Sequence, residues 1–185
     1  HVARLRREFH KDFWAAYEAE LRTRLENSPY AKTWYVEKSK RDYKNAWAGH
    51  GLASALQLTY PDLGFLRTII QQNTPGSGYS LYYGILWSQK HNQRTELMEY
   101  KALTTYLVQH GQEVRDEGRW VLVKTTGYGA GKDRFALRMS ADRENFIREM
   151  VDFQWVLFED TVQYLDALNK AILTDTKSAL SLADD

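Results

Sequence analysis

GYSLYYGILWSQKHNQRTELMEYKALTTYLVQHG, residues 78–111, reads as a strand, a polar turn and a covering helix, and the rest of the chain is placed around it. Tyr79, Leu81, Tyr83, Ile85 and Trp87 alternate with Ser80, Tyr82, Gly84 and Leu86, so five large apolar or aromatic side chains share one face at the two-residue period of a strand. That face requires burial. The opposite face is itself fairly apolar, as in a central strand covered on both sides, and Gly84 marks a close approach of a neighbouring backbone or ring. Asn92 is read as the cap of the following helix, because its short side chain accepts a hydrogen bond from a first-turn amide. Leu97, Tyr100, Thr104, Leu107 and Val108 then recur at three- and four-residue steps, a stripe that lies on the sheet, and Gly111 supplies a left-handed stop.

The 185 residues fit a single domain with one core. Hydrophobic residues at 43% and aromatics at 14%, with six Trp and twelve Tyr, place the chain among globular proteins and exclude disorder for most of it. With no cysteine, disulfides and thiolate chemistry are excluded, and an intracellular site is permitted. No apolar run approaches the roughly 20 residues of a bilayer span, so no membrane partner is expected and the protein reads as cytoplasmic. The chain starts at His1 inside a helical pattern, as a fragment of a longer protein would. Charge is uneven: residues 1–45 carry eleven Lys/Arg against seven Asp/Glu, residues 46–139 ten against seven, and residues 140–185 four against ten. A basic front and an acidic tail imply either an oriented surface for an anionic partner or mutual attraction of the two ends within the fold.

Working outward, Val2, Leu5, Phe9, Phe13, Tyr17, Leu21 and Leu25 predict a first helix over Val2–Glu26, ended by Asn27-Ser28-Pro29. Residues 33–36 form a short strand-like core, followed by a charged turn. Residues 52–60 alternate as a strand closed by Pro61-Asp62, residues 63–70 fit a strand or a short helix, and residues 73–78 form the clearest turn. Residues 120–126 and 134–139 read as two strands of a long hairpin across the loop Gly127-Tyr128-Gly129-Ala130-Gly131-Lys132-Asp133. From Ser140 or Asp142 a long helix begins with two adjoining apolar stripes, Phe146, Met150, Phe153, Leu157, Tyr164, Leu168 and Ile172 beside Ile147, Val151, Trp155, Phe158, Val162 and Leu165. So wide an apolar face packs against the first helix as well as the sheet, or against a second copy in a homo-oligomer. Residues 174–185 are expected to fray. The sum is an α+β domain: a mostly antiparallel sheet of about five strands, one intervening helix, and two long terminal helices packed on it.

Four patterns bear on function. Pro61-Asp62 with Glu99-Tyr100-Lys101 matches the letters of the PD-(D/E)XK nuclease signature, in which Asp62 and Glu99 would hold a divalent metal and Lys101 would stand beside the attacking water. Here, however, Glu99 and Lys101 fall in a predicted helix, splayed by about 200°, whereas that chemistry wants them on one face of a strand. Residues 127–132 resemble a phosphate-cradling glycine loop, one residue short of the nucleotide-binding spacing, without its Ser/Thr and followed by an expected strand. As a hairpin tip flanked by Lys124, Lys132, Arg134 and Arg138, the loop is suited to a nucleic-acid backbone. Tyr30, Trp34, Tyr35, Tyr43 and Trp47 interleave with Lys32, Lys38, Lys40, Arg41 and Lys44, the combination that stacks bases and meets phosphates in single strands. The plain alternative puts the rings in the core and the cations along an exposed turn. The five histidines show no metal spacing, and no cofactor or metal is expected.

The strand Leu81-Tyr82-Tyr83-Gly84-Ile85, followed by a helix, the Trp120 strand and a late helix with Trp155, resembles the region that follows the catalytic domain in prokaryotic PD-(D/E)XK nuclease-superfamily proteins. The resemblance covers roughly residues 79–172 and implies a non-catalytic accessory module of a nuclease or defence-type protein. The resulting expectation is a binding domain for nucleic acid or a partner protein, contacting it through Trp34, Tyr35, Lys38, Lys40, Arg41, Lys44, Lys132 and Arg134. The alternatives are a metal-dependent nuclease acting through Asp62, Glu99 and Lys101, or an immunity- or inhibitor-type protein using the acidic last helix.

Overall fold

A computed structural model describes residues 2–38, 48–72, 80–115, 118–129 and 133–181. Five strands, β1 (Trp34–Lys38), β2 (Gly49–Ser54), β3 (Leu66–Gln72), β4 (Ser80–Trp87) and β5 (Trp120–Gly129), pair antiparallel in chain order β1-β2-β3-β4-β5. Helix α1 (Val2–Glu26) precedes the sheet, α2 (Leu56–Thr59) links β2 to β3, and α3 (Met98–Gln109) links β4 to β5. Two helices follow the sheet, α4 (Asp133–Ala141) and the 39-residue α5 (Arg143–Ser181). The architecture is α+β, as the sequence predicts.

Helix α1 has the predicted bounds. Phe13, Tyr17, Leu21 and Leu25, four residues apart, are buried along one stripe. At its end Asn27 and Ser28 fold their side chains onto the carbonyls of Thr23 and Leu25, and Pro29 has no N–H with which to continue. Helix α5 packs against α1, α3, α4 and three strands, which bury much of its two apolar stripes. It is tied to the sheet by two fully buried amides. Gln154 accepts from Tyr17 Oη at 2.6 Å and donates to the carbonyls of His50 and Thr68, while Asn169 takes both backbone groups of Leu66. Every one of these polar groups is satisfied, as burial at 0% exposure requires. The basic front and acidic tail meet at Arg24, whose Nη1 donates to Asp152 at 2.5 Å.

Because α1, α3 and α4 all pack on α5, and α5 packs on the sheet, these four helices occupy one face. Ring contacts identify that face strand by strand: Trp34 meets Phe158, Tyr83 meets Phe153, and Trp87 meets Tyr100 of α3. Strand β4 is paired on both sides, and at Gly84 a Cβ would come within 1.9 Å of the Leu122 carbonyl, the close backbone approach expected there.

Local assignments differ from expectation in three places. The alternation over residues 52–60 does not continue as a strand: after Ser54 the backbone of Ala55 turns helical, Ser54 Oγ accepts from the Leu56 amide, and α2 follows. The six residues 134–139 belong to α4, where Phe135 and Met139 are buried four residues apart, so the long hairpin is replaced by strand, loop and helix. A window that short fits both periods, and packing against Phe13 and Phe146 decides for the helix. Asn92 caps nothing: it is a left-handed turn residue (φ 66°) whose amide donates to the Asp62 carbonyl, and α3 starts six residues later with Leu97 at its cap. The stop at Gly111 is left-handed as predicted, with φ 70°. Of residues 63–70, the strand reading holds, shifted to Leu66–Gln72.

Candidate binding face of the sheet

Alternation along each strand sends the neighbours of the core residues to the other face, and the register aligns them in rows. Glu37, Gly51, Ile69, Gly84 and Val123 form one continuous row across all five strands. On one side of it lie Tyr35 beside Ala53, and Arg67 beside Leu86 and Trp120; on the other lie Gly49, Gln71, Tyr82 and Thr125. Among the described residues no long helix packs on these rows. Only the short α2 reaches a corner, where Gln57 Oε1 accepts from Tyr35 Oη at 3.4 Å.

With glycine at two of its five positions the middle row is low, and the longer side chains stand around it. Tyr82 and Trp120 meet edge to face, 5.7 Å between ring centroids, and Gln71 Nε2 donates to Tyr82 Oη at 3.0 Å. Tyr35, Tyr82 and Trp120 are each half-buried. Arg67 crosses above Gly51 to pair with Glu37, and only 14% of its side chain remains exposed. Arg119, next to Trp120, donates from Nε and Nη2 to the carbonyls of Trp87 and Ser88. Burial, then the charge of Arg67, hold the Arg119 guanidinium below its ordinary value, against an opposing pull from Glu37. The face therefore combines three partly open rings with two neighbouring guanidiniums and one carboxylate. That combination offers π-faces for stacking and cations for an anion.

The residues singled out from sequence are dispersed. Trp34 is 3% exposed with its edge against Phe158, so it is core and offers no face to a base. Tyr35, its neighbour, points the other way and joins the helix-free face. Lys38 is exposed at the end of β1, 3.8 Å from Glu18. Arg134 lies on α4, its guanidinium 4.6 Å above the Tyr128 ring, on the helical side of the molecule. Lys40, Arg41, Lys44 and Lys132 lie outside the described residues. For the nuclease alternative, Asp62 sits in an exposed turn, while Glu99 and Lys101 are two residues apart on α3 and share no face. Among the described residues no group of three or more His, Asp or Glu is arranged to hold a metal ion, and no helix is long and apolar enough to cross a membrane.

No family model, curated protein or solved structure matches this chain.

Arg67, Tyr82, Arg119 and Trp120 were not visible as a group in the sequence. Their one signal is that polar or aromatic residues occupy the off-core positions of β3, β4 and β5; the register that gathers them is tertiary. A second polar cluster lies on the helical face. His50, 2% exposed, places Nε2 2.9 Å from Glu18 Oε2, and Arg22 donates to the same carboxylate. Burial lowers the His50 imidazole more than the bond to Glu18 raises it. Burial alone would raise Glu18, but its bonds from His50 and Arg22 outweigh this and lower it. So enclosed a histidine reads as a strut between α1 and β2.

Proposed function

We propose that this is a non-catalytic accessory domain that binds single-stranded nucleic acid across the helix-free face of its sheet. The observation that carries the reading is the gathering of Tyr35, Tyr82 and Trp120 with the neighbouring guanidiniums of Arg67 and Arg119 on a face that, among the described residues, no long helix covers. Bases of any identity stack on rings, and phosphates meet arginines, so such a face suits single strands without demanding a sequence. The resemblance of the LYYGI strand and the Trp155 helix supports the context: an accessory module of a prokaryotic nuclease or defence-type protein. Tyr35 belongs to both the sequence-based contact set and this face.

The test is a fluorescence-anisotropy titration of labelled oligothymidine and oligouridine over a salt series. Binding at low salt should weaken linearly in log–log form, with a slope of about 0.7 per phosphate engaged. Absence of binding at low salt, or binding indifferent to salt, overturns the reading.

A further inference from the structure

Resting on the reading of this face, we infer that Arg67 and Arg119 form a discrete site for one phosphate group, and that Glu37 occupies Arg67 in the ligand-free protein as an internal competitor.

The inference starts from geometry. Arg67 is opposite Leu86 on β4, and Leu86 is opposite Trp120 on β5, so the two arginines approach each other across β4, one from the middle of the sheet and one from its edge. Arg119 is anchored through Nε and Nη2 to the carbonyls of Trp87 and Ser88, which fixes its plane and leaves Nη1 uncommitted to those two carbonyls. Arg67 spends Nη1 on Glu37, and its Nε is enclosed without an acceptor among the described residues. A buried N–H without an acceptor forfeits its hydration and gains nothing in return. An oxyanion with several acceptor oxygens offsets the mutual repulsion of the two guanidiniums.

Glu37 is a poor permanent partner. Its side chain is 34% exposed, while that of Arg67 is 14% exposed, so the carboxylate reaches in from the rim over Gly51. The titratable groups facing Arg67 are Glu37 on β1 and Arg119 beside β5, with the Tyr35 phenol next to Glu37; burial and then Glu37 hold that phenol above its ordinary value. Among the described residues this part of the face therefore carries two guanidiniums and one carboxylate. Trp120 lies one strand beyond Leu86, the neighbour of Arg67, and its ring meets that of Tyr82 at 5.7 Å between centroids, so a phosphate held there leaves an adjoining base beside a ring.

The experiment titrates inorganic phosphate into the protein, with chloride at matched ionic strength as control, and follows the arginine side-chain Nε–H resonances by NMR. Saturable shifts of the Arg67 and Arg119 signals with phosphate and not with chloride are expected. Glu37→Gln should tighten phosphate several-fold, and Arg67→Gln should abolish the response and flatten the oligothymidine salt slope by about 0.7, one phosphate. Equal shifts with chloride, or a Glu37→Gln protein that binds phosphate no more tightly, overturn the site. If oligothymidine binds and Tyr82→Ala weakens it while Arg67→Gln leaves the slope unchanged, the phosphate site falls and the single-strand reading survives. If phosphate binds as described and oligothymidine does not, the single-strand reading falls and the anion site stands.

Discussion

The two faces of one sheet are built from the same strands and have opposite chemistry. On the helical face Trp34, Thr68, Ile85 and Trp87 are closed off by α5 and α3, and the buried amides of Gln154 and Asn169 tie α5 to the strands. On the other face Tyr35, Arg67, Tyr82 and Trp120 keep part of their surface open, and two guanidiniums lie near one carboxylate. Adjacent residues fall on opposite sides: Trp34 against Tyr35, and Tyr83 against Tyr82. An aromatic pair in a strand thus divides into one ring that is buried in the core and one that keeps part of its surface open.

The largest effect expected from this contrast is in stability. Trp34→Ala opens a cavity against Phe158 and should cost about 3–5 kcal/mol, whereas Tyr35→Ala one residue away should cost about 1 kcal/mol. Chemical denaturation of the two variants checks this, and equal losses would break the distinction between the faces. Gln154→Ala comes next: it removes the acceptor of the Tyr17 hydroxyl and a donor to two carbonyls, at about 1–3 kcal/mol for each group left unsatisfied.

The same contrast explains what was legible beforehand. The two long helices, strand β4 and the Gly111 stop follow from periodicities sustained over many residues, and the structure keeps them. Two of the departures, residues 55–60 and 134–139, are short windows in which both periods fit and only tertiary packing chooses, and the third, Asn92, is a turn residue where composition suggested a cap. Within the basic-aromatic pattern Trp34 goes to the core and Tyr35 to the other face, because neighbours in a strand point to opposite sides, a division that composition does not carry. The Arg67, Arg119 and Trp120 neighbourhood joins positions more than fifty residues apart through the β3-β4-β5 register, and no linear pattern encodes it.

Smaller effects sharpen the functional side. Tyr82→Ala and Trp120→Ala should each weaken oligothymidine binding by about 1–3 kcal/mol, the value of one stacked base, with far less effect on melting than Trp34→Ala; anisotropy and thermal denaturation on the same samples check both halves. The pH response should be the mildest. His10 and His50 are held below their ordinary value near 6.5, chiefly by burial. The unfolded chain therefore takes up their protons at a higher pH than the folded one does. Their contribution is complete above about pH 6.5 and is lost as pH falls toward the lowered folded values. Melting temperature should decline from pH 7 to pH 5, and less steeply in His50→Gln; a rise on acidification would contradict the assignment.

The most direct test of the two-faced sheet is amide chemical-shift mapping of the protein with oligothymidine at low salt. Shifts concentrated at Tyr35, Arg67, Gln71, Tyr82, Arg119 and Trp120, with α1 and α5 unmoved, are the predicted result. Shifts concentrated on the helices, or none at saturating oligonucleotide, would contradict it.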